Sequence, residues 1–416
     1  MKLRLVQSIA DIGEQTWRRC AGDDYPFLRY EFLQALENAG GENAACNETS
    51  GWAPRHLVVS SGDRDIAVMP MYLKDHSYGE YIFDWSWAEA YQRNGLAYYP
   101  KLLAAVPFTP ASGPRLAVDK QALHAQPGTP QDATSPEPQI GNEPQLIHWL
   151  ADQLPELCRE QRASSFHLLY PFEPVAAAFA SNELLLRHSF QYHWFNQHES
   201  GQRFASFDEY AGILKARKRK ALRRERRDVQ QQDIEIKRLV GEQIDAGIWN
   251  DFYTFYQITY AKRSGHGGYL PKEFFMQVGE RMSEQILLVA AYKNGEIIAA
   301  ALNFFSSSTL FGRYWGCTEA AEFLHFELCY YQGIEFCIER GLDKFDAGAQ
   351  GEHKIQRGFR PVDTWSVHWI AREDFRRAIS NYLQQERAYN RQHMDAALQL
   401  LPFRNQGQVG DTAPKT

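Results

Sequence analysis

LVVSSGDRDIAVMPM, residues 57–71, and LVAAYKNGEIIAAAL, residues 288–302, lie over one another without a gap at an offset of 231 residues. Each reads as a short apolar strand, a turn (Gly62-Asp63 against Asn294-Gly295) and a second apolar strand, the pattern of a β-hairpin. An aromatic stretch follows each hairpin, EYIFDWSW at 80–87 and TLFGRYWG at 309–316, and both are expected to be strands. A helical pattern comes after each. The repeated order points to a duplicated α/β unit, with the boundary near 196–206.

Helical periodicity places further elements around these two anchors. Pro26–Ala39, 146–161, 249–260 and 271–282 carry apolar residues at three- and four-residue spacing. The longest helix is expected over Glu319–Arg340, ending at Gly341, a good C-terminal cap. The strand LDKFDAG follows it directly. Helices alternating with strands in this way specify an α/β architecture of mixed sheets flanked by helices. The expected division is an N-terminal unit over 1–200, with a flexible insertion at about 119–145, and a C-terminal unit over 201–404. Residues 405–416 read as a disordered polar tail.

Composition narrows the function. Across 416 residues, 44% are hydrophobic and 23% charged, an ordinary recipe for a globular core, with a net charge of −6. The molecule as a whole is therefore no general polyanion binder, and DNA is not an expected partner. The six cysteines show no Cys-x-x-Cys spacing, which argues against a disulfide scaffold or a zinc knuckle. No metal site is expected. No apolar run approaches the ~18 residues of a membrane span, and no signal-peptide region is apparent, so a cytoplasmic protein without a transmembrane segment is expected.

Three features carry chemistry. KARKRKALRRERRD at 215–228 holds nine basic and two acidic residues in an otherwise acidic chain. Such a block suits phosphates, with Arg217, Lys218, Arg223 and Arg224 as candidate ligands, although a solvated helix face is the plainer alternative. The second is the loop after the last short strand, Gly348-Ala349-Gln350-Gly351-Glu352-His353-Lys354, continuing to Arg357. Glu352 or His353 could take a proton from an attacking amine, and Lys354 could hold a phosphate or an oxyanion; Gln350 and Arg357 are candidate substrate contacts. The third is the aromatic pair of segments. Asp84, Trp85, Trp87, Glu89 and Tyr91 cluster in one, Arg313 and Trp315 occupy the other, and Arg115 lies in a nearby loop as a candidate anion contact. Most aromatics in strands are core, but this alternation with charges leaves room for a ligand groove.

The blocks LFGRYWGCTEAAEFLHFELCYYQGIEFCIERGLDKFDAGAQGEHKIQRGFRPVDTWSVHW (310–369) and FDWSWAEAYQRNGLAYYPKLLAAVPFTPASGPRL (83–116) closely resemble the bacterial FemAB-like predicted N-acyltransferases of the GNAT superfamily. The resemblance implies two tandem GNAT-like domains, of the acyl-CoA N-acyltransferase kind. It also implies transfer of an acyl or aminoacyl group to a primary amine, such as that of a peptidoglycan precursor. No firmly bound cofactor is implied; acyl-CoA or aminoacyl-tRNA would be co-substrate, tRNA a partner, and the acceptor a small or peptide-like amine. The pyrophosphate loop of ordinary GNAT proteins, Gln/Arg-x-x-Gly-x-Gly/Ala, is missing at CTEAAEFLHFE. Acidic Glu319 and Glu322, expected in the first helical turn, oppose a pyrophosphate and favour aminoacyl-tRNA or another donor over coenzyme A. The rival from another class is a non-catalytic protein that recognises a cell-wall precursor or RNA.

Overall fold

A computed structural model describes residues 1–124, 140–180, 183–198, 200–349 and 351–404. In chain order its strands are β1 (Lys2–Val6), β2 (Trp52–Pro54), β3 (His56–Ser61), β4 (Arg64–Met69), β5 (Met71–Lys74), β6 (Lys101–Ala104), β7 (Ala117–Val118), β8 (Ser165–Leu169), β9 (Leu184–Phe195), β10 (Glu235–Val240), β11 (Ile286–Lys293), β12 (Glu296–Phe305), β13 (Thr309–Cys317), β14 (Lys344–Asp346) and β15 (Arg360–Ile370). The residues form two compact units built from interleaved segments. Of the described residues, unit 1 takes those within 1–190, 240–286 and 363–391, and unit 2 those within 191–239, 287–362 and 392–404.

Both expected hairpins form. β3 pairs antiparallel with β4 in unit 1, and β11 and β12, joined by Asn294-Gly295, are hydrogen-bonded neighbours in the sheet of unit 2. The second hairpin's turn has φ of 53° at Asn294 and 85° at Gly295, the two left-handed residues that suit a tight turn between right-twisted strands. The second aromatic stretch is a strand, β13. The first is not: residues 80–84 are loop and Trp85–Arg93 is a helix. The physical reason lies in spacing, since Trp87 and Tyr91 stand four apart and bury one helical face, while Phe83 and Trp85 remain exposed.

In unit 1 a small sheet, β1-β3-β4-β7, accompanies strands in the order β15-β8-β6-β5-β2. The Glu143–Glu160 helix contributes Leu146, Leu150, Leu154 and Cys158 to one apolar cluster with Leu57, Met69, Phe166 and Val367. The helices Ala246–Ser264 and Lys272–Arg281 belong to this unit as well, with Phe274 edge-on to Phe32 at 5.4 Å. Of the stretch 119–145, residues 125–139 lie outside the described residues. Its ends are built in: Lys120–His124 is helical with Leu123 buried, and Asp119 caps it by accepting from Ala122 N. The tail expected over 405–416 also lies outside the described residues. Among those described, no helix is long and apolar enough to cross a membrane.

Unit 1 holds a charge network in its interior. Lys101 is fully buried and donates to Glu80 Oε2 at 2.8 Å, Asp84 Oδ2 at 2.5 Å and Ser77 Oγ at 2.8 Å. Tyr98 donates to the same Asp84 oxygen at 2.7 Å, and His167 and His368 face one another at 2.6 Å across the β8–β15 pair. Burial opposes the charge on Asp84, but Lys101 outweighs it and holds that carboxyl well below its usual range. For Glu80 burial wins, and its carboxyl is pushed up to about 7. Because that folded value lies above the unfolded one, Glu80 favours folding at low pH, and the benefit is lost as pH rises from about 4.5 to about 7. Chemical unfolding should show this slope in the wild type and a flatter one in Glu80→Gln. Lys101→Met, which strands two buried carboxylates, should cost about 3–5 kcal/mol, and adding Glu80→Gln and Asp84→Asn should recover most of it.

Candidate functional site

Unit 2 carries strands in the order β10-β11-β12-β13-β14-β9. β13 and β14 run parallel and pair for only three residues, Thr309↔Lys344, Leu310↔Phe345 and Phe311↔Asp346. β14 then ends, while β13 continues to Cys317. On its other side β13 stays paired with β12 but carries a bulge, since Leu302 faces Tyr314 and Asn303 faces Gly312, leaving Arg313 as the extra residue. The chain leaves β14 through Gly348, whose φ of 83° suits glycine and no bulky residue. The result is a seam that opens at the carboxyl end of a parallel pair, where ligands of open α/β sheets bind.

The helix beyond β13 starts later than expected. Phe323 sits in the left-handed region (φ 60°), and the helix runs as Leu324–Phe326, a π-turn over Glu327–Tyr331, and Gln332–Arg340. Glu319 and Glu322 therefore precede the helix instead of forming its first turn, and Glu319 pairs with Lys293. The π-turn is a wide turn common at functional sites. It brings Tyr330 OH to 2.7 Å from His353 Nε2 and directs Tyr331 OH to Glu225. Glu225 also accepts from Arg357 Nη2 at 2.8 Å, and the Arg357 guanidinium lies 3.5 Å from the centre of the Phe326 ring.

The loop expected to carry chemistry is a 3₁₀ helix, Glu352–Arg357, ended by Gly358. Lys354 is buried and donates from Nζ to Gly348 O at 2.5 Å. Burial lowers its ammonium to about 8, with Asp346 pulling the other way. Glu352 and His353 are exposed at the start of this turn, and Arg357 is buried and donates to His353 O at 3.0 Å. Trp315 meets the His325 ring edge-on at 5.0 Å, and Arg313 lies over Tyr314 at 5.2 Å. Gln350 lies outside the described residues.

The basic block is the helix Ala216–Gln230, held down by Leu222 and Val229. Arg226 binds it to the π-turn through Glu327 at 3.0 Å and to Glu335 at 2.9 Å. Of the expected phosphate ligands, Lys218 is turned to Gln356 and Arg217 is exposed. Arg223 and Arg224 line a groove of about 300 Å³ together with Arg219, Lys220 and Arg227. Arg223 pairs with Asp208 at 3.2 Å and Arg224 with Asp228 at 3.7 Å, both at the surface, where such pairs are weak and easily exchanged for a ligand. The three groove residues missed from sequence, Arg219, Lys220 and Arg227, were recoverable from spacing: Arg219 and Arg227 stand four from Arg223, and Lys220 four from Arg224, along adjacent rows of one helical face.

The remaining candidates lie in unit 1, and they are dispersed. Asp84 is sealed in the Lys101 network and Glu89 is exposed in an ion pair with Arg93, so the two do not share a site. Trp87 packs 5.0 Å from His368 and Tyr91 joins the core beside Tyr98, while Trp85 is exposed. Arg115, read as an anion contact, is fully buried and donates to Leu169 O and Ala111 O. It ties the loop that follows β6 to the end of β8, beyond which a parallel bridge at Gly113–Pro171 forms. The Tyr25 ring would lie 2.2 Å from a Cβ at position 113. The parallel pair of unit 1 thus has no opening like the one beside β13–β14 in unit 2.

Two of the solved structures that resemble the chain do so over most of its length. FemX matches at a TM-score of 0.50 and 10% identity, covering 91% of this chain and all of that one. The C-terminal domain of a putative lysylphosphatidylglycerol synthetase from Agrobacterium fabrum matches at 0.50 and 9%, covering 91% and 97%. Likeness at that identity is one of fold, and the fold is the expected class: mixed α/β, helix-flanked and tandem GNAT-like. No curated protein matches the sequence. The FemAB-like family, described as peptidoglycan biosynthesis/recognition, matches residues 8–405, and to that family this chain belongs.

Proposed function

We propose that this protein is an N-acyltransferase that moves an acyl or aminoacyl group from an activated donor to a primary amine, such as that of a peptidoglycan precursor. The observation that carries the reading is the open β13–β14 seam with a buried ammonium beneath it. In this reading the carbonyl of the donor lies in the seam. As the amine attacks, negative charge gathers on the carbonyl oxygen. Lys354, with one of its three N–H donors on Gly348 O, has two more for that oxyanion. The attacking amine must lose a proton, and His353, oriented by Tyr330, is the base within this site. The cationic groove on Ala216–Gln230 is suited to the phosphates of a donor or acceptor. Family membership and the FemX-like fold agree with this reading.

Purified protein should be heated with acyl-CoAs, charged and uncharged tRNA, and UDP-linked muropeptide in turn. A true donor or acceptor at ~100-fold excess over its Kd should add about 2.7 kcal/mol of stability. Turnover with that pair should fall about 10²–10³-fold in Lys354→Met with donor affinity retained, the usual effect of losing one oxyanion donor. Binding without turnover in the wild type would overturn the enzyme reading in favour of a recognition protein. The wild-type rate should also decline as pH rises through about 8, where Lys354 loses its proton. Lys354→Arg, which keeps its charge, should lack that decline.

A further inference from the structure

The histidine opposite Asp346 plays no part in the reading above. His193, on β9, is the cross-strand partner of Asp346 on β14, and both side chains are buried. Its Nε2 lies 3.5 Å from Asp346 Oδ2, and neither ring nitrogen makes a hydrogen bond. The other oxygen, Asp346 Oδ1, accepts from Gly348 N at 2.9 Å, and Gly348 O accepts from Lys354 Nζ. One residue, Gly348, is therefore held at its N–H by the carboxylate and at its C=O by the ammonium, at the mouth of the seam.

We propose that His193 and Asp346 are positioning residues for Lys354: the carboxylate keeps the ammonium charged and pins the turn at Gly348, and the imidazole, 3.5 Å away across the strand pair, packs against that carboxylate without cancelling its charge. Burial pushes His193 down to about 4, so at neutral pH the ring is uncharged. A cation in its place would compete with Lys354 for Asp346. Lys354 faces Asp346 from β14 and Cys329 from the π-turn; His193 faces Asp346, Lys344 and Lys354. Asp346 is thus the carboxylate offsetting the desolvation of both groups. Removing it leaves a buried ammonium with only a carbonyl, and burial then drives the proton off.

This inference rests on the assignment of Lys354 to the transfer step, so the test reads the amine directly. Protein labelled with [ε-13C]lysine is titrated by NMR, and the Lys354 signal is identified by its loss in Lys354→Met. The wild-type transition is expected near 8. In Asp346→Asn it should fall by about one pH unit or more, the size of effect that a neighbouring opposite charge exerts. His193→Leu should lower it by a smaller amount, and His193→Gln, which returns an uncharged polar group beside Asp346, should bring it back. If Asp346→Asn does not fold, the Leu and Gln pair at 193 decides the matter alone. Folded variants in which the transition stays put overturn the inference, whatever the activity does. A transition that moves while the alkaline decline in transfer rate does not follow leaves the relay standing and removes Lys354 from the reaction.

Discussion

The feature on which unit 2 depends is a parallel strand pair that stops after three residues. A parallel ladder leaves no backbone group spare where it continues, and every group beyond it must find another partner. β13 meets that requirement on one side through β12, with a bulge at the place where its other neighbour departs. The left-handed Phe323, the π-turn and the 3₁₀ turn at Glu352 are the irregular backbone around the opening. Each places a side chain that a regular helix or strand would turn elsewhere: Tyr330 toward His353, Tyr331 toward Glu225, Lys354 toward Gly348.

Two buried lysines show how partners decide a proton. Lys101 and Lys354 are both removed from water, and burial alone would push both down. Lys101 sits between two carboxylates, which raise it above the ordinary lysine value. Lys354 has Asp346 nearby and a carbonyl in hydrogen-bond contact, which leaves it at about 8. The first arrangement is a stable ion cluster inside unit 1. The second keeps a proton close to the point of release, the property expected of a group that meets a developing charge.

Much was legible in advance. The hairpins declared themselves through apolar runs around Asn-Gly and Gly-Asp turns, because two-residue turns accept few residue types. The helices at 146–161, 249–260 and 271–282 were legible through their periodicity, and Lys354, His353 and Arg357 through their crowding beside glycines. The 80–87 segment was misread because aromatic residues suit both strands and helices, and only four-residue burial of Trp87 and Tyr91 separates the two. Asp84 and Arg115 were read as ligand contacts because a charge beside aromatics looks the same whether it meets substrate or the protein's own groups.

The sequence by itself determined the α/β class, the repeated hairpin, the basic helix and the family, since each depends on local pattern or on long shared strings. Only the tertiary structure decided that the parallel pair of unit 2 opens while that of unit 1 does not, and which arginines of the basic helix face outward. It alone set His193 across from Asp346. Those outcomes depend on contacts between residues more than a hundred positions apart, such as Glu225 with Arg357 and His193 with Asp346, which no local pattern encodes.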